Sequence, residues 1–311
     1  LGVQKMNTAT LVMVNNRLVY NDGFGGTLWD LLPIGIDDVE KIEVVRGPAS
    51  ALYGPNAATG VINIITKSPD QKAGWSASSY SQAGNYNTYL ATGSVGYATK
   101  DKTWSFRLSG NFDQRDRHHV DYYTREVGVY RPTPEMLPNG AANPIAKTQF
   151  PDYDLATDKK ALSAHAKYAS KDLEVNWLAG VSRSDIQRPY FVPTFYTLST
   201  EENKSNFTHF FGKWENLSFS ADYNYTSNNT HEVFDFDFKN ANANVDYQIP
   251  VTKNFSLKPG VSFHFVEAIS TDDYLYFSNA NLTTWQQVDA VSPNGSSVTN
   301  AITSGFVRAE Y

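Results

Sequence analysis

The clearest pattern in this chain is a strict alternation of polar and apolar residues between positions 240 and 249. Alternation with a period of two places consecutive side chains on opposite faces of a β-strand. The segment is therefore predicted to be a strand with one wet face and one apolar face. The polar positions are Asn240, Asn242, Asn244, Asp246 and Gln248, and the apolar positions are Ala241, Ala243, Val245, Tyr247 and Ile249.

The same alternation recurs from about residue 74 onward and predicts about ten strands. The clear segments are about 9 to 11 residues long, which is the length of a tilted strand that crosses a bilayer. Three weaker segments, at 75–82, 207–214 and 305–311, are placed mainly by spacing. The other predicted strands lie at 88–98, 103–113, 161–169, 173–182, 217–226, 240–249 and 255–265.

The connections between these strands alternate between tight turns and long segments. Tight turns are predicted near residues 99–102, 170–172, 215–216 and 250–253, and long loops over residues 116–158, 187–205, 229–238 and 268–302. A soluble sandwich or propeller also alternates along its strands, but its connections carry no such asymmetry. Short turns at one end and long loops at the other are typical of outer-membrane barrels.

Aromatic residues near the predicted strand ends fit the girdle of such a barrel, although ordinary cross-strand packing would place them there too. They are Trp104, Tyr97, Tyr168, Trp177, Trp214 and Tyr247.

Residues 1 to 69 follow a different pattern and are predicted to form a compact α+β unit. Asn15 and Asn16 separate two short apolar runs, at 10–14 and 17–20, and favour a two-residue hairpin turn. Further elements are helical turns at 27–32, a strand at 42–45, a short helix at 48–53 that ends at Gly54, and a strand at 61–65.

Composition narrows the function classes. The chain has 311 residues, a formal charge of −6, 41 % apolar residues and no Cys, with 19 Tyr, 18 Phe and 6 Trp. An acidic chain lacks the basic surface that nucleic-acid binding requires, so no nucleic-acid partner is expected. Without Cys, disulfides and thiolate chemistry are excluded. No run approaches the roughly 20 apolar residues of a membrane helix.

Catalytic and metal motifs are not evident. The chain has no Gly-x-Ser-x-Gly elbow, no His-Glu-x-x-His and no phosphate loop. Asp235 and Asp237 lack the Gly and terminal Glu of a calcium loop. We therefore predict a protein that is not an enzyme and needs no cofactor or metal. A barrel enzyme stays an alternative, to be recognised by a Ser–His pair near one rim.

The segment from Ile42 to Gly54, IEVVRGPASALYG, continues through ATGVINIITK at residues 58–67. It closely resembles the plug-domain signature of TonB-dependent outer-membrane receptors. LVMVNNR at residues 11–17 resembles the plug hairpin of the same family. The later strands are similar to the start of its barrel of about 22 strands, a width that leaves a lumen for a plug.

This resemblance implies a mainly β fold, with the C-terminal part of a plug at 1–69 and the N-terminal part of a transmembrane barrel at 70–311. By the family pattern, the start of the plug, the TonB box and about twelve strands lie outside this sequence. The implied function is TonB-dependent import of a scarce solute, such as a ferric siderophore, cobalamin or a glycan, across the bacterial outer membrane. Implied partners are TonB, the solute, outer-membrane lipid and, as an open option, a surface lipoprotein. A passive porin or surface-binding barrel is the alternative.

The candidate site residues fall into two groups. Charged residues of the plug signature, Arg46, Glu43 and Glu40, are predicted to contact the barrel wall, whose inward side chains include Arg107, Asn244, Asp246, Lys258 and His264. Aromatic and His residues of the long loops are candidates for ligand contact. They are His118, His119, Tyr122, Tyr123, Tyr190, Phe191, Tyr274 and Tyr276.

Overall fold

The computed structural model of the protein contains a small mixed sheet and a large antiparallel sheet. It describes residues 10–19, 26–49, 53, 57–118, 122–124, 129–131, 142, 144, 146–192, 195–231, 234–270, 275–278, 285–288 and 297–310. We call the small sheet and its connections, up to Thr66, the plug, and the large sheet the wall.

The plug sheet has the strand order β2-β1-β4-β3, in which β1 and β4 are parallel. The predicted hairpin is confirmed: Asn15 and Asn16 adopt φ of 51° and 63°, the left-handed pair that a two-residue turn requires. Asn15 is held there by bonds to Thr66. The strands are β1 (Thr10–Val14), β2 (Arg17–Leu18), β3 (Val39–Arg46) and β4 (Gly60–Thr66).

The described helices are short. The helical turn predicted at 27–32 is a 3-10 helix, Trp29–Leu31, and a second, Ile36–Asp38, leads into β3. The backbone N–H of Tyr53 donates to the carbonyl of Ala49, as in the first turn of the predicted helix, while residues 50–52 and Gly54 lie outside the described part. One further turn of helix is Ala146–Gln149. In the described part of the chain, no helix has the length and apolarity to cross a membrane.

Small residues around the plug signature serve the close pairing of β3 with β4. Gly47 has φ of 93° where the chain leaves β3, a conformation that side chains with a Cβ resist. A Cβ on Gly60 would lie 2.6 Å from the carbonyl oxygen of Val45. On one face of this sheet, Leu11, Met13 and Val61 pack with two small alanines into a buried core.

The wall has the order β15-β16-β14-β13-β12-β11-β10-β7-β6-β5, with β19 paired to β16. All ten predicted strands are present, and between the described residues no pairing joins β5 to β19. The strands are β5 (Gly74–Gly84), β6 (Thr88–Ala98), β7 (Trp104–Asp116), β10 (Leu155–Ala169), β11 (Leu173–Val192), β12 (Phe195–Trp214), β13 (Leu217–Thr230), β14 (Phe234–Tyr247), β15 (Ile249–Thr252), β16 (Phe255–Ser270) and β19 (Ser297–Glu310).

Two hairpins within the predicted long loops form separate two-stranded sheets. They are β8 (Tyr122–Thr124) with β9 (Val129–Arg131), and β17 (Leu275–Ser278) with β18 (Trp285–Val288).

The predicted loops at 187–205 and 229–238 were too long. In the structure β11 and β12 stay paired from Leu173–Trp214 to Val192–Phe195, and β13 and β14 leave only 231–233 between them. β10, β16 and β19 also continue into the ranges assigned to loops. Outside a hydrocarbon layer both strand faces can be wet, so backbone pairing continues where the alternation fades.

Turns at the other wall end are tight, as predicted. Lys102 and Glu215 adopt φ of 59° and 50° in two of them. In the first, Asp101 accepts bonds from the hydroxyl of Thr99 and from the backbone N–H and hydroxyl of Thr103. These bonds lower the pKa of Asp101 to about 2. At the opposite end the β5–β6 connection is also tight, at residues 85–87, so the interleaving of long and short connections is not complete.

The two faces of the wall differ in chemistry. On β11, Trp177 and Val181 are 45 % and 53 % exposed on the outer face, whereas Asn176, Ser182 and Ser184 are buried on the inner face against the plug side. The outer aromatic residues gather near the tight turns: Trp104 contacts Tyr168 with ring centroids 4.6 Å apart. Tyr97, Trp214 and Tyr247 lie at similar positions, while Trp177 lies farther along its strand.

Candidate functional site

The contact between the plug and the inner face of the wall is the main polar site of the described chain. At its base, the Ile36–Asp38 turn meets β6 and β7. The hydroxyl of Thr92 donates to the carboxylate of Asp37 at 2.6 Å, and Arg107 contacts Asp38 at 3.2 Å. Both partners of the second pair are largely buried, so this ion pair ties the plug to the wall where little water screens it.

The segment that joins the plug to the wall is fixed at the same end. Asp70 forms an ion pair of 3.0 Å with Lys167 on β10, and the ammonium of Lys102 donates to the carbonyl of Gln71 at 3.4 Å. Lys67 adds a bond from its ammonium to the carbonyl of Asp37 at 2.6 Å. The base of the plug is therefore attached to three neighbouring elements of the wall.

Midway up the lumen, the hairpin of the plug reaches β12 and β13 through Arg17. Its guanidinium donates to the side-chain carbonyl of Asn224 and lies 3.8 Å from the ring centroid of Phe207. Burial lowers the pKa of Arg17 to about 10, and nearby Asp222 opposes that shift. The side chain therefore stays charged at neutral pH.

At the end of the wall opposite the tight turns, called the outer end from here on, the 3-10 helix Trp29–Leu31 of the plug meets β11. Asp30 pairs with Arg188, whose guanidinium also lies 3.5 Å from the carboxylate of Glu201. Glu201 is 1 % exposed and accepts amide bonds from Asn203 and Asn228 at 2.7 Å each. Arg188 thus bridges a plug carboxylate and a buried wall carboxylate.

On the other side of the plug, a cavity of about 730 Å³ separates it from β14, β16 and β19. Its wall side carries mostly amides and hydroxyls, including Asn240, Asn300 and Ser304, together with the carboxylate of Asp222. The described contacts of the plug are therefore concentrated on strands β6 to β13.

The predicted plug-to-wall contacts lie elsewhere in the described structure. Glu43 pairs with Lys41 at 2.6 Å and accepts a bond from Asn63, all within the plug. Glu40 accepts a bond from Gln71 of the joining segment. Arg46 is exposed on β3, the edge strand of the plug. Contact of these three residues with a barrel wall stays a prediction.

The predicted ligand residues are only partly placed. His118 is exposed, with its ring 4.5 Å from that of Tyr86. His119 and Tyr274 lie outside the described residues. Tyr122 and Tyr123 lie on β8, Tyr190 and Phe191 on β11, and Tyr276 on β17, and their contact with a ligand stays a prediction.

Sequence reasoning placed Arg107 on the inner face, as found, but missed Arg17, Asp30, Asp38 and Arg188. The signal available in the sequence for Arg17 was a cation directly after the hairpin turn. In the structure this residue is 4 % exposed. In the part of the chain that the structure describes, no cluster of three or more His, Asp or Glu could bind a metal.

A small mixed sheet held by polar contacts on the wet face of a long antiparallel sheet with an apolar outer face defines a plugged outer-membrane barrel. The family described as the TonB-dependent Receptor Plug Domain matches residues 2–61. Residues 2–61 thus match a plug domain, and the chain is similar to TonB-dependent receptors, which are β-barrel proteins of the Gram-negative outer membrane.

Two relatives illustrate the sequence similarity. The ferrienterobactin receptor of Escherichia coli K12 is 35 % identical over 161 residues, which is 47 % of this chain and 21 % of the receptor. The vitamin B12 transporter BtuB of Vibrio vulnificus is 28 % identical over 119 residues, 37 % of this chain and 18 % of the transporter. This chain thus matches only about a fifth of each relative's length.

Solved structures share the fold. The FrpB iron transporter of Neisseria meningitidis aligns with a TM-score of 0.65 at 13 % identity, over 97 % of this chain and 48 % of the transporter chain. The siderophore receptor PirA of Pseudomonas aeruginosa aligns with a TM-score of 0.55 at 19 % identity, over 97 % of this chain and 46 % of the receptor chain. In fold, this chain therefore corresponds to about half of the length of each of these solved chains.

Replacing Leu108 by Arg should lower the free energy of unfolding by about 2 to 4 kcal/mol, because a charge on the lipid face near mid-membrane loses its hydration. Leu108 is 41 % exposed on the outer face of β7, four residues beyond Trp104 of the aromatic girdle. Urea unfolding of the complete receptor in lipid vesicles measures the change, and Leu108→Ala controls for the lost side chain.

Two further controls are a residue nearer the edge of the membrane and a residue on the lumen face of the wall. Val245 lies only two residues from Tyr247, so Val245→Arg should cost roughly 0 to 1 kcal/mol at the edge of the apolar band. Asn244→Arg, on the lumen side, should also be milder than Leu108→Arg. Equal losses in all three Arg variants would contradict a lipid-facing outer surface.

Proposed function

We propose that this chain is part of an active importer that carries a scarce solute across the outer membrane with energy delivered through TonB. In this proposal residues 1–69 form the C-terminal part of the plug and residues 70–311 the first part of the barrel. The solute is a ferric siderophore, cobalamin or a glycan. TonB, this solute and outer-membrane lipid are the proposed partners.

The observation that carries the proposal is the fastening of the plug to the inner face of the wall. Its contacts run from Asp38 at the base, through Arg17, to Asp30 at the outer end. A lumen filled by a separately folded unit obstructs passive diffusion, so passage requires the plug to be rearranged. The similarity to a ferrienterobactin receptor and to a vitamin B12 transporter supports a scarce, bulky solute.

Uptake of radiolabelled ferric enterobactin and cyanocobalamin tests the proposal. The complete receptor is produced in a host without its own receptors for these solutes, with and without TonB. Energised uptake of at least one probe should occur only with TonB, while binding to de-energised cells should not depend on it. Solute entry that is unaffected by loss of TonB would instead support a passive porin.

A further inference from the structure

Arg17 is a buried cation whose hydrogen-bond acceptor and aromatic partner both come from the opposite domain. The guanidinium is part of the plug, but the ring of Phe207 and the amide of Asn224 both belong to the wall. Gly180 makes room for that ring, because a Cβ there would lie 2.5 Å from a Phe207 ring atom. A guanidinium that is shielded from water is stabilised more by an aromatic ring face and a hydrogen-bond acceptor than an exposed one is. The contact of Arg17 with Phe207 and Asn224 therefore stabilises the docked plug.

The acceptor of this cation is oriented by other residues of the wall. The side-chain amide nitrogen of Asn224 donates to Asp222 at 2.9 Å and to Asn240 at 2.7 Å, which turns its carbonyl toward the plug. Asn242 donates to the same Asp222 oxygen at 2.9 Å and is itself bonded to His264 at 2.6 Å. The network spans β13, β14 and β16 and places a carboxylate near the cation.

The position of Arg17 on an edge strand of the plug sheet lets this contact fix the sheet relative to the wall. It lies on β2, one edge of the order β2-β1-β4-β3, directly after the rigid Asn15–Asn16 turn. At the other edge, Lys41 and Glu43 of β3 satisfy each other within the plug. Among the described residues, the side-chain hydrogen bond and the cation–ring contact from the plug sheet to the wall both lie at the Arg17 edge.

We propose that Arg17 is a positioning residue that fixes the plug hairpin to the wall and keeps the lumen sealed at rest. The inference rests on the proposed function, since it assigns the resting seal of the same plug. It predicts that loosening this one contact, from either side, opens a leak even when no energy reaches the receptor.

Vancomycin influx through the complete receptor, in cells that lack TonB, tests this role. Arg17→Ala should raise influx at least about tenfold, since the loss of a buried charge-assisted contact shifts the docking equilibrium by at least that factor. Arg17→Lys, which keeps the charge but not the planar fork, should leak less. Lys41→Ala, which removes an exposed plug cation paired inside the plug, should not leak.

Two substitutions in the wall distinguish a loss of plug docking from a loss of plug folding. Phe207→Leu and Asn224→Ala leave the plug sequence intact and should also leak, with the plug still resistant to limited proteolysis. The double variant Arg17→Ala/Asn224→Ala should leak no more than the worse single variant. A leak confined to Arg17→Ala, or no leak in any variant, would overturn the proposal. Because vancomycin entry without TonB involves no active import, failure of the importer function would leave this result standing.

Discussion

A disulfide between cysteines placed at Asp37 and Thr92 should abolish energised uptake while leaving solute binding intact. The side-chain oxygens of these residues lie 2.6 Å apart, one on the plug and one on β6, so the pair joins the two domains at the plug base. If import requires this part of the plug to leave the wall, a covalent link stops it, and reduction restores it. The chain has no other Cys in its 311 residues, so the introduced pair is unambiguous within it.

The matched control is a disulfide inside the wall. Ser78 and Ser94 face each other across β5 and β6 with hydroxyl oxygens 2.8 Å apart, and linking them should not affect uptake. Uptake is measured with the probe that the receptor imports, under oxidising and reducing conditions, and gel mobility reports the extent of crosslinking. Undiminished uptake by fully crosslinked Asp37–Thr92 receptor would mean that the plug base stays on β6 during transport.

Local chemistry made much of the fold predictable. The hairpin followed from Asn15 and Asn16, because Asn tolerates the left-handed conformation that a tight turn demands. The membrane-crossing part of each wall strand followed from alternation, since lipid outside and a polar lumen inside impose opposite requirements on successive residues. These signals are contained in neighbouring positions, so a single sequence reveals them.

Features that depend on residues far apart in the sequence could not be predicted from it. Gln187 and Thr200 are paired strand residues in a range predicted to be loop, because beyond the apolar band no pattern marks a strand. Arg107 was expected to face inward, but its partner Asp38 lies 69 positions away. The cation in the plug signature, Arg46, was expected to contact the wall, whereas Arg17 supplies a plug cation bound to the wall in the described structure.

Replacing Arg107 by Ala should lower the free energy of unfolding of the docked plug by about 3 to 5 kcal/mol. The variant leaves the carboxylate of Asp38, whose side chain is 9 % exposed, in a poorly hydrated site without its ion-pair partner. The cost is therefore mainly the uncompensated buried charge, not the attraction lost. Denaturant unfolding of the complete receptor in detergent, followed by the protease sensitivity of the plug, measures it.

Two variants show whether buried charge is the cause. Asp38→Asn/Arg107→Gln removes both charges and should recover much of the loss, because neutral amides can still bond across the contact. Lys41→Ala, at an exposed pair within the plug, should leave the unfolding midpoint unchanged. If the neutral double variant were as unstable as Arg107→Ala alone, packing of the Arg107 side chain, and not its charge, would hold the plug base to β7.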